Sequence, residues 1–253
     1  MLRTFYELII KNRLNIIKTI YFNFVVFPFK TAIHIPVCLF GKVKILHLER
    51  GCVELTGHIY PGAVRIGGGY DSRMIGHYRT LISHINIHGK IRFGDTIKIG
   101  NGILLYVGHD ATVTIGNEAV LNFNCKLFCE KEITIGNQVR VSWDVQIFDT
   151  NFHYTSHDGI IKPKYRTVFL DRNCWIGNRV TVSKGTCLPA YSIVASNSVI
   201  NKNYSDNEPG GLYAGMPAHL IATGYKRLIG REIETIIEEK LKTSSSVSFE
   251  ELR

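Results

Sequence analysis

The chain has 253 residues, of which 45% are apolar and 20% are charged, with 23 glycines and 7 prolines. This composition is that of a globular protein, and it excludes a disordered or collagen-like chain. The formal net charge is +9, and residues 1–44 carry seven basic side chains against Glu7 alone. Such a basic segment favours an anionic partner, such as a phosphorylated cofactor or an anionic lipid surface. A solvated basic face explains the same pattern equally well.

Six cysteines are present, and their spacing contains no double pair of the kind that binds zinc. We expect reduced thiols in or near a core, hence a cytoplasmic protein with no metal. No signal peptide or membrane-spanning segment is expected either, because the apolar run near residues 20–29 is short and contains Pro28. The cysteines are Cys38, Cys52, Cys125, Cys129, Cys174 and Cys187.

The amino-terminal region, residues 1–44, is predicted to be a basic helix with a lead-in. Within residues 1–22, apolar side chains recur at spacings of three and four, which is typical of an amphipathic helix. We expect this helix to cap the end of the fold or to pack in an oligomer. A peripheral membrane contact through residues 1–30 is the alternative. The apolar positions are Leu2, Phe5, Leu8, Ile9, Ile16, Ile17 and Ile20.

The next part, residues 45–200, carries a repeat that is clearest after residue 85. Ile-Gly-Asn recurs at residues 99, 115, 135 and 176, and aliphatic residues return every six positions, as in Ile115, Leu121 and Leu127. A six-residue period fits a chain that turns after each short strand and forms a triangular coil of about 18 residues. We therefore predict an all-β solenoid, a parallel β-helix, whose early coils over residues 23–60 are irregular.

The period fails between residues 149 and 171, which predicts a loop extruded from the solenoid. Loops that project from a rigid scaffold commonly carry the functional site. After Ile200 the repeat stops, and residues 201–253 are predicted to form a turn-rich extension, a helix over residues 226–242 and a polar tail. A helix at each end and one extruded loop thus complete the predicted architecture.

Three features occur in a fixed order: the repeats, the segment Asp149–His153 (DTNFH) and the segment Ala214–Ala218 (AGMPA). Together they resemble the hexapeptide-repeat acyltransferases over roughly residues 85–225. Within that family the chain is most similar to the galactoside and maltose O-acetyltransferases and to acetyltransferases of capsule and exopolysaccharide gene clusters. The resemblance implies a left-handed β-helix, a homotrimer with sites between subunits, acetyl-CoA as co-substrate, and a sugar or glycan acceptor. It implies no metal and no nucleic-acid partner.

The resemblance also implies roles for individual residues. His153 matches the family's catalytic histidine, and Asn124, in the segment Asn122-Phe123-Asn124, matches its acceptor-side asparagine. In the galactoside enzymes proline follows the histidine, whereas Tyr154 follows it here, a departure that bears on the acceptor more than on the chemistry. The last coils are expected to hold CoA, through Asn178, Ala195, Asn201 and Lys202.

The chemistry is acetyl transfer from a thioester to a hydroxyl, which must lose its proton as it attacks. A neutral histidine, with a pKa of about 6.5, can accept that proton, and we assign this role to His153. Asp149 is one candidate to orient its ring, and a group from another subunit is another. A backbone N–H or Asn124 would stabilise the oxyanion. His157 is a candidate helper or substrate contact.

Further candidates flank the loop. Trp143 and Trp175 could each stack on a sugar ring or on adenine, but for Trp175 packing at a subunit contact is favoured. Trp143, with Asn122 and His157, is therefore predicted on the substrate side. Lys184 is a candidate partner for the CoA phosphates, since lysine suits phosphate as a point charge, and a solvated basic rim explains it equally well.

We therefore predict an acetyl-CoA-dependent O-acetyltransferase of polysaccharide (capsule, exopolysaccharide or O-antigen) biosynthesis, cytoplasmic and potentially membrane-associated. Acetylation of an amino sugar or a small antibiotic is the alternative within the same chemistry. A zinc-dependent, carbonic anhydrase-like hydrase is a second alternative, with His153, His157 and His109 as ligands, although the His-Gly-Cys segment of that class is missing. A non-catalytic solenoid scaffold is the third.

Overall fold

The computed structural model describes residues 13–68, 80–228 and 231–250. Its helices are α1 (Ile16–Val26), α2 (Phe29–Ala32) and α3 (Arg231–Lys240). Helix α1 begins after Asn15, whose side chain accepts a hydrogen bond from the Lys18 backbone N–H (3.2 Å) and so caps the first turn. It ends before Pro28, which disfavours helical geometry at the preceding residue. No helix in these ranges is long and apolar enough to cross a membrane.

Most strands belong to three parallel sheets of nine, seven and six strands. The first sheet contains β1 (Val37–Leu39), β4 (Val64–Ile66), β7 (Ile97–Ile99), β10 (Val120–Leu121), β13 (Arg140–Val141), β18 (Trp175–Ile176), β21 (Ile193–Val194), β23 (Leu212–Gly215) and the antiparallel β24 (Ala218–Ala222). The second contains β2 (Lys42–His47), β5 (Ile82–Ile87), β8 (Leu104–Val107), β11 (Lys126–Cys129), β14 (Gln146–Phe148), β19 (Thr181–Val182) and β22 (Val199–Ile200). The third contains β3 (Val53–Leu55), β6 (Lys90–Phe93), β9 (Thr112–Ile115), β12 (Glu132–Ile135), β17 (Val168–Leu170) and β20 (Cys187–Leu188). A separate antiparallel hairpin consists of β15 (Ser156–His157) and β16 (Ile160–Ile161).

The order of the strands shows how the chain winds. Successive strands pass from the first sheet to the second and then to the third, and each strand pairs with its counterpart one coil later. Ile115 thus aligns with Ile135, and Ile135 aligns with Leu170. All three side chains are buried, so the aliphatic period builds one continuous core along the coil axis. The predicted fold of parallel strands is confirmed, and its left-handed winding stays a prediction.

The corner between the first and second sheets, here called the first corner, is a column of residues with left-handed backbone. Asn124, Asp144, Arg179 and Asn197 all have φ between 54° and 62°. Asparagine and aspartate tolerate this region better than most residues, so they suit a chain that turns sharply after each short strand. Gly100 is needed nearby, because a Cβ there would lie 2.8 Å from the backbone of the next coil.

The sheets begin earlier than the sequence predicts. Strand β1 already pairs in register with β4, and β2 begins at Lys42, so the sheets include residues before 45. The pairing of β2 with β5 shifts register between Ile45 and His47, so the early coils are irregular there. The period is hard to see there because the connection from β4 to β5 is long. At the other end, β23 continues the first sheet beyond Ile200.

The helix boundaries and the end of the loop also differ from the predictions. Helix α1 starts at Ile16, whereas the helix predicted over residues 1–22 lies largely outside the described residues. Helix α3 spans ten residues and is shorter than the predicted helix over residues 226–242. The loop ends at residue 167 and not at 171, because the buried Val168 and Leu170 have already rejoined the third sheet in β17.

Candidate active site

The extruded loop leaves the coil at the corner between the second and third sheets, here called the second corner. Its two ends are tied together at a neck, where Asn151 N–H donates to the Lys164 carbonyl (2.8 Å) and Arg166 N–H donates to the Asp149 carbonyl (2.8 Å). Thr150 and Tyr165 form a bridge between these bonds. The hairpin of β15 and β16 forms the tip. The loop is therefore a braced projection on a rigid scaffold.

His153 lies at the neck of this loop and its side chain is exposed. Its backbone N–H donates to the Asn151 carbonyl (2.7 Å), and Phe152 before it adopts φ 62°. The Phe152 ring packs edge-on against Phe128 of β11, with centroids 5.7 Å apart. These contacts position the backbone of His153, while its ring stays accessible to a ligand.

Asp149 does not orient His153 as predicted. Its side chain is fully buried, and its oxygens accept hydrogen bonds from the backbone N–H groups of Glu130 (2.9 Å), Lys131 (2.7 Å) and Glu132 (2.7 Å). The Cys129 thiol also donates to it (3.5 Å), and burial together with this carboxylate raises the pKa of Cys129. Asp149 therefore binds the turn of the preceding coil, and we correct its role from catalytic to structural.

Asn124 lies in the first corner. Its side-chain amide donates to Asp144 Oδ1 (2.7 Å), and its backbone N–H donates to the Asn101 carbonyl (2.8 Å). Asn122 Oδ1 accepts a hydrogen bond from the Phe123 N–H (2.9 Å). The amide of Asn124 is thus held in place and retains a second N–H for a ligand.

The two tryptophans are close to Asn124 in the fold. Trp143 is half-buried in the same corner, one coil further on. The Trp175 ring nitrogen donates to the Ser142 hydroxyl (3.2 Å), and 42% of this residue is exposed. Both rings therefore lie on the first-corner side of the molecule.

The residues predicted to bind CoA divide between the two corners. Asn178 and Ala195 lie in the first corner, where Ala195 N–H donates to the Tyr213 carbonyl (2.8 Å). Lys184, Asn201 and Lys202 lie in the second corner. The Lys184 ammonium donates to the carbonyls of residues 163 (2.8 Å) and 164 (3.3 Å). It therefore ties the returning strand of the loop to the coil that follows.

The predicted site residues therefore form two groups at opposite edges of the second sheet. Asn122, Asn124, Trp143, Asn178 and Ala195 lie at the first corner, whereas Asp149, His153, His157, Lys184, Asn201 and Lys202 lie at the second. About five extended residues separate the corners, which corresponds to roughly 15 Å. One chain does not bring Asn124 and His153 together.

Two other histidines have contacts that argue against a zinc site within one chain. His157 is exposed on the hairpin and pairs with its neighbour Asp158 (3.3 Å). His109 packs against His88, with ring centroids 4.5 Å apart. Among the described residues, no three potential metal ligands are grouped. The set of His109, His153 and His157 is not assembled in a single chain.

A large open cleft beside the loop was not predicted. Its volume is about 1050 Å³, and the lining includes Tyr154 and the outer face of the third sheet at Phe169 and Cys187. Five cationic side chains line it: Lys131, Lys162, Lys164, Arg166 and Lys184. The basic run Lys162-Pro163-Lys164-Tyr165-Arg166 was a signal in the sequence, but only the fold brings Lys131 and Lys184 beside it.

Comparison with known proteins gives relatives that include O-acetyltransferases. A protein of Escherichia coli K12 with the provisional name lipopolysaccharide biosynthesis O-acetyltransferase is 26% identical over 148 residues, covering 54% of this chain and 74% of the relative. A 24.8 kDa protein from the cps region of Klebsiella pneumoniae, of uncharacterised function, is 32% identical over 140 residues, covering 55% and 61%. The E. coli K12 galactoside O-acetyltransferase is 24% identical over 119 residues, covering 46% and 57%. The chain thus spans less than two thirds of the second and third relatives, and no family model matches it.

Two of the solved structures that match the chain are acetyltransferases. A hexapeptide-repeat acetyltransferase from Vibrio cholerae, complexed with acetyl-CoA, is 22% identical and covers 51% of this chain and 64% of its own, with a TM-score of 0.39. A polysialic acid-specific acetyltransferase is 14% identical and covers 79% and 94%, with a TM-score of 0.49.

The sequence relatives confirm the resemblance that the repeats, the DTNFH loop and the AGMPA segment indicated. The chain is similar in sequence to O-acetyltransferases of Escherichia coli K12.

Proposed function

We propose that the protein transfers an acetyl group from acetyl-CoA to a sugar hydroxyl during the synthesis of a bacterial surface polysaccharide. The observation that carries this proposal is the exposed His153 ring on a braced loop beside an open cleft. The names of two relatives, one for lipopolysaccharide biosynthesis and one for galactoside acetylation, support the acceptor class.

The proposed reaction is direct. The acceptor hydroxyl attacks the thioester carbonyl while the His153 ring removes its proton, and a new C–O bond forms. The tetrahedral intermediate then collapses, the C–S bond breaks, and the leaving thiolate takes the proton from His153. The remaining N–H of the Asn124 amide is our candidate donor to the oxyanion. No covalent enzyme intermediate is needed.

We propose a homotrimer whose sites lie between subunits. The separation of Asn124 and His153 supports this arrangement, because a site that uses both must combine the first corner of one copy with the second corner of another. The same combination would place Asn178 and Ala195 of one subunit near Lys202 of its neighbour around a single CoA. Solenoids expose long side faces, so packing copies side by side is a natural way to cover them.

We further propose a cytoplasmic location with peripheral membrane contact through α1. Exposed apolar side chains lie on α1 and on the neighbouring α2, with Ile17 of α1 82% and Phe29 of α2 71% exposed. Arg13 and Lys42 line one recess together with Ile17. An apolar face beside basic side chains suits an anionic lipid surface, and it would bring the enzyme to acceptors assembled at the membrane.

The reaction is tested by following CoA release with purified protein across sugar, nucleotide-sugar and amino-sugar acceptors, with mass spectrometry of the products. We expect the product to gain 42 Da through an acetyl ester on a hydroxyl. Mild base should remove this acetyl group. Acetylation only at nitrogen would replace the proposal with the amine alternative. If none of the acceptors supports CoA release, both the hydroxyl and the amine alternatives are contradicted.

A further inference from the structure

The basic cleft beside the loop has an unusual charge balance. Lys131, Lys162, Lys164 and Arg166 line it, and within the described part of the chain none of them forms an ion pair with a carboxylate. The remaining cation, Lys184, is occupied by loop carbonyls. Among the described residues that line the cleft, none is an aspartate or a glutamate. The cations therefore create a strongly positive field in a concave space, which is favourable for an anion.

Three nearby carboxylates have to be weighed. Glu132 lies at the edge of the cleft, where it accepts a hydrogen bond from the Thr167 hydroxyl (3.4 Å). Burial raises the pKa of the Cys187 thiol in the lining, and Asp171 and Asp206 are close enough to raise it further. These carboxylates offset part of the charge of the five cations, which still outnumber them.

Aromatic rings complete the cleft. Phe169, 38% exposed, lies on the third sheet, and Tyr154 and Tyr165 come from the loop. The Lys164 ammonium lies 5.8 Å from the Tyr154 ring centroid and 5.9 Å from that of Tyr165. Rings of this kind pack against the faces of sugars, and cations between them contact charged substituents.

The position of the cleft relates it to the catalytic residue. Tyr154, which lines the cleft, directly follows His153 in the chain, so the loop that carries the proposed base also forms a wall of the cleft. The volume of about 1050 Å³ is at the upper end of the range for ligand pockets and leaves room for more than one sugar unit.

We propose that this cleft is the acceptor subsite, and that the acceptor is an anionic glycan carrying carboxylates or phosphodiesters. The inference rests on the proposed acetyl transfer and names its substrate class. Phosphates of CoA have the same chemistry and are the competing source of negative charge. The glycan is favoured because the charges are spread along the cleft and interleaved with aromatic rings.

The test uses the double variant K131Q/K162Q, which removes two cleft charges while leaving the loop bonds of Lys184 intact. The control K240Q/K242Q removes two exposed charges at and just after the end of α3, from residues that do not line the cleft. Calorimetry measures binding of a uronic-acid oligosaccharide, a phosphodiester-linked oligosaccharide and a neutral hexose oligosaccharide of equal length, and separately of CoA, without turnover.

We expect at least one anionic oligosaccharide to bind more tightly than the neutral one, with an affinity that falls as salt is added. K131Q/K162Q should weaken that binding about tenfold, whereas K240Q/K242Q should leave it unchanged, and neither double variant should change the affinity for CoA. Weakened CoA binding with unchanged glycan binding would assign the cleft to CoA and overturn the proposal. Equal affinity for neutral and anionic glycans, or no binding of either anionic one, would also overturn it.

Binding and turnover separate the two proposals. Charge-dependent glycan binding without acetyl transfer would contradict the proposed reaction and leave the cleft assignment standing. Acetylation of neutral sugars alone, at a rate unchanged in K131Q/K162Q, would support the proposed reaction and contradict the assignment of the cleft.

Discussion

At the scale of single residues, His153 is held by its backbone and left free at its ring. Replacing it with alanine should lower kcat by roughly 10²–10⁴-fold, the usual contribution of a general base. CoA affinity should persist, since the backbone bonds of the loop do not involve the ring. Steady-state kinetics and calorimetry on the same preparation check both, with H157A as the matched control. A kcat within a few-fold of wild type would remove His153 from the mechanism.

Asp149 allows a second prediction at this scale. D149N keeps the size and shape of the side chain but removes its negative charge, which weakens the three hydrogen bonds from backbone N–H groups. It also replaces one carboxylate oxygen with an NH₂ group, which is a donor and would face backbone N–H donors. Such a change should cost about 2–4 kcal/mol of the free energy of unfolding. Thermal denaturation measures this loss. Well below the new Tm, kcat and its pH profile should match the wild type. A shifted pH profile with an unchanged Tm would restore the orienting role that the structure does not support.

At the scale of elements, α1 and α2 carry exposed apolar side chains, Ile17 and Phe29, that no other part of the described chain covers. Exposed apolar side chains inserted at a lipid interface add affinity, so I17S/F29S should abolish most cosedimentation with vesicles containing phosphatidylglycerol. The control I221S/M216S removes two other exposed apolar side chains, in and next to β24. Wild-type protein should bind neutral phosphatidylcholine vesicles less well. Equal binding by I17S/F29S and wild type would show that this face has another use.

At the scale of the whole molecule, the two corners predict complementation between subunits. N124A and H153A should each be nearly inactive alone. The H153A chain keeps an intact first corner, and the N124A chain keeps an intact second corner. Mixed trimers formed by coexpression should recover about a quarter of wild-type activity, because each site draws its two halves from different copies at random. Light scattering verifies the trimer. No recovery, despite verified mixing, would mean that both residues act within one chain or that Asn124 is not at the site.

Much of the fold was readable from the sequence because the six-residue period directly reports which side chains point inward. Ile115, Ile135 and Ile176 are buried as predicted, and the failure of the period after residue 148 marked the loop. The coils before residue 66 could not be recognised in the sequence, although β1 and β4 pair in regular register. The long connection between β4 and β5 interrupts the six-residue spacing of the aliphatic side chains. The observed ends of elements also differ from the predicted ends where a turn, and not the pattern of apolar side chains, ends the element. Helix α1, which ends before Pro28, is an example.

The site was readable only in part. The sequence by itself determined the inward-facing residues, the loop and the candidate His153, since these follow from local spacing and from a resemblance carried by short motifs. Only the tertiary structure decided that Asn124 and His153 lie at opposite edges of one sheet, that Asp149 binds the turn of the preceding coil, and that Lys131 and Lys184 join the basic run of the loop. The physical reason is that these relations depend on which coil stacks on which, and the stacking is set by long-range pairing between strands far apart in the chain.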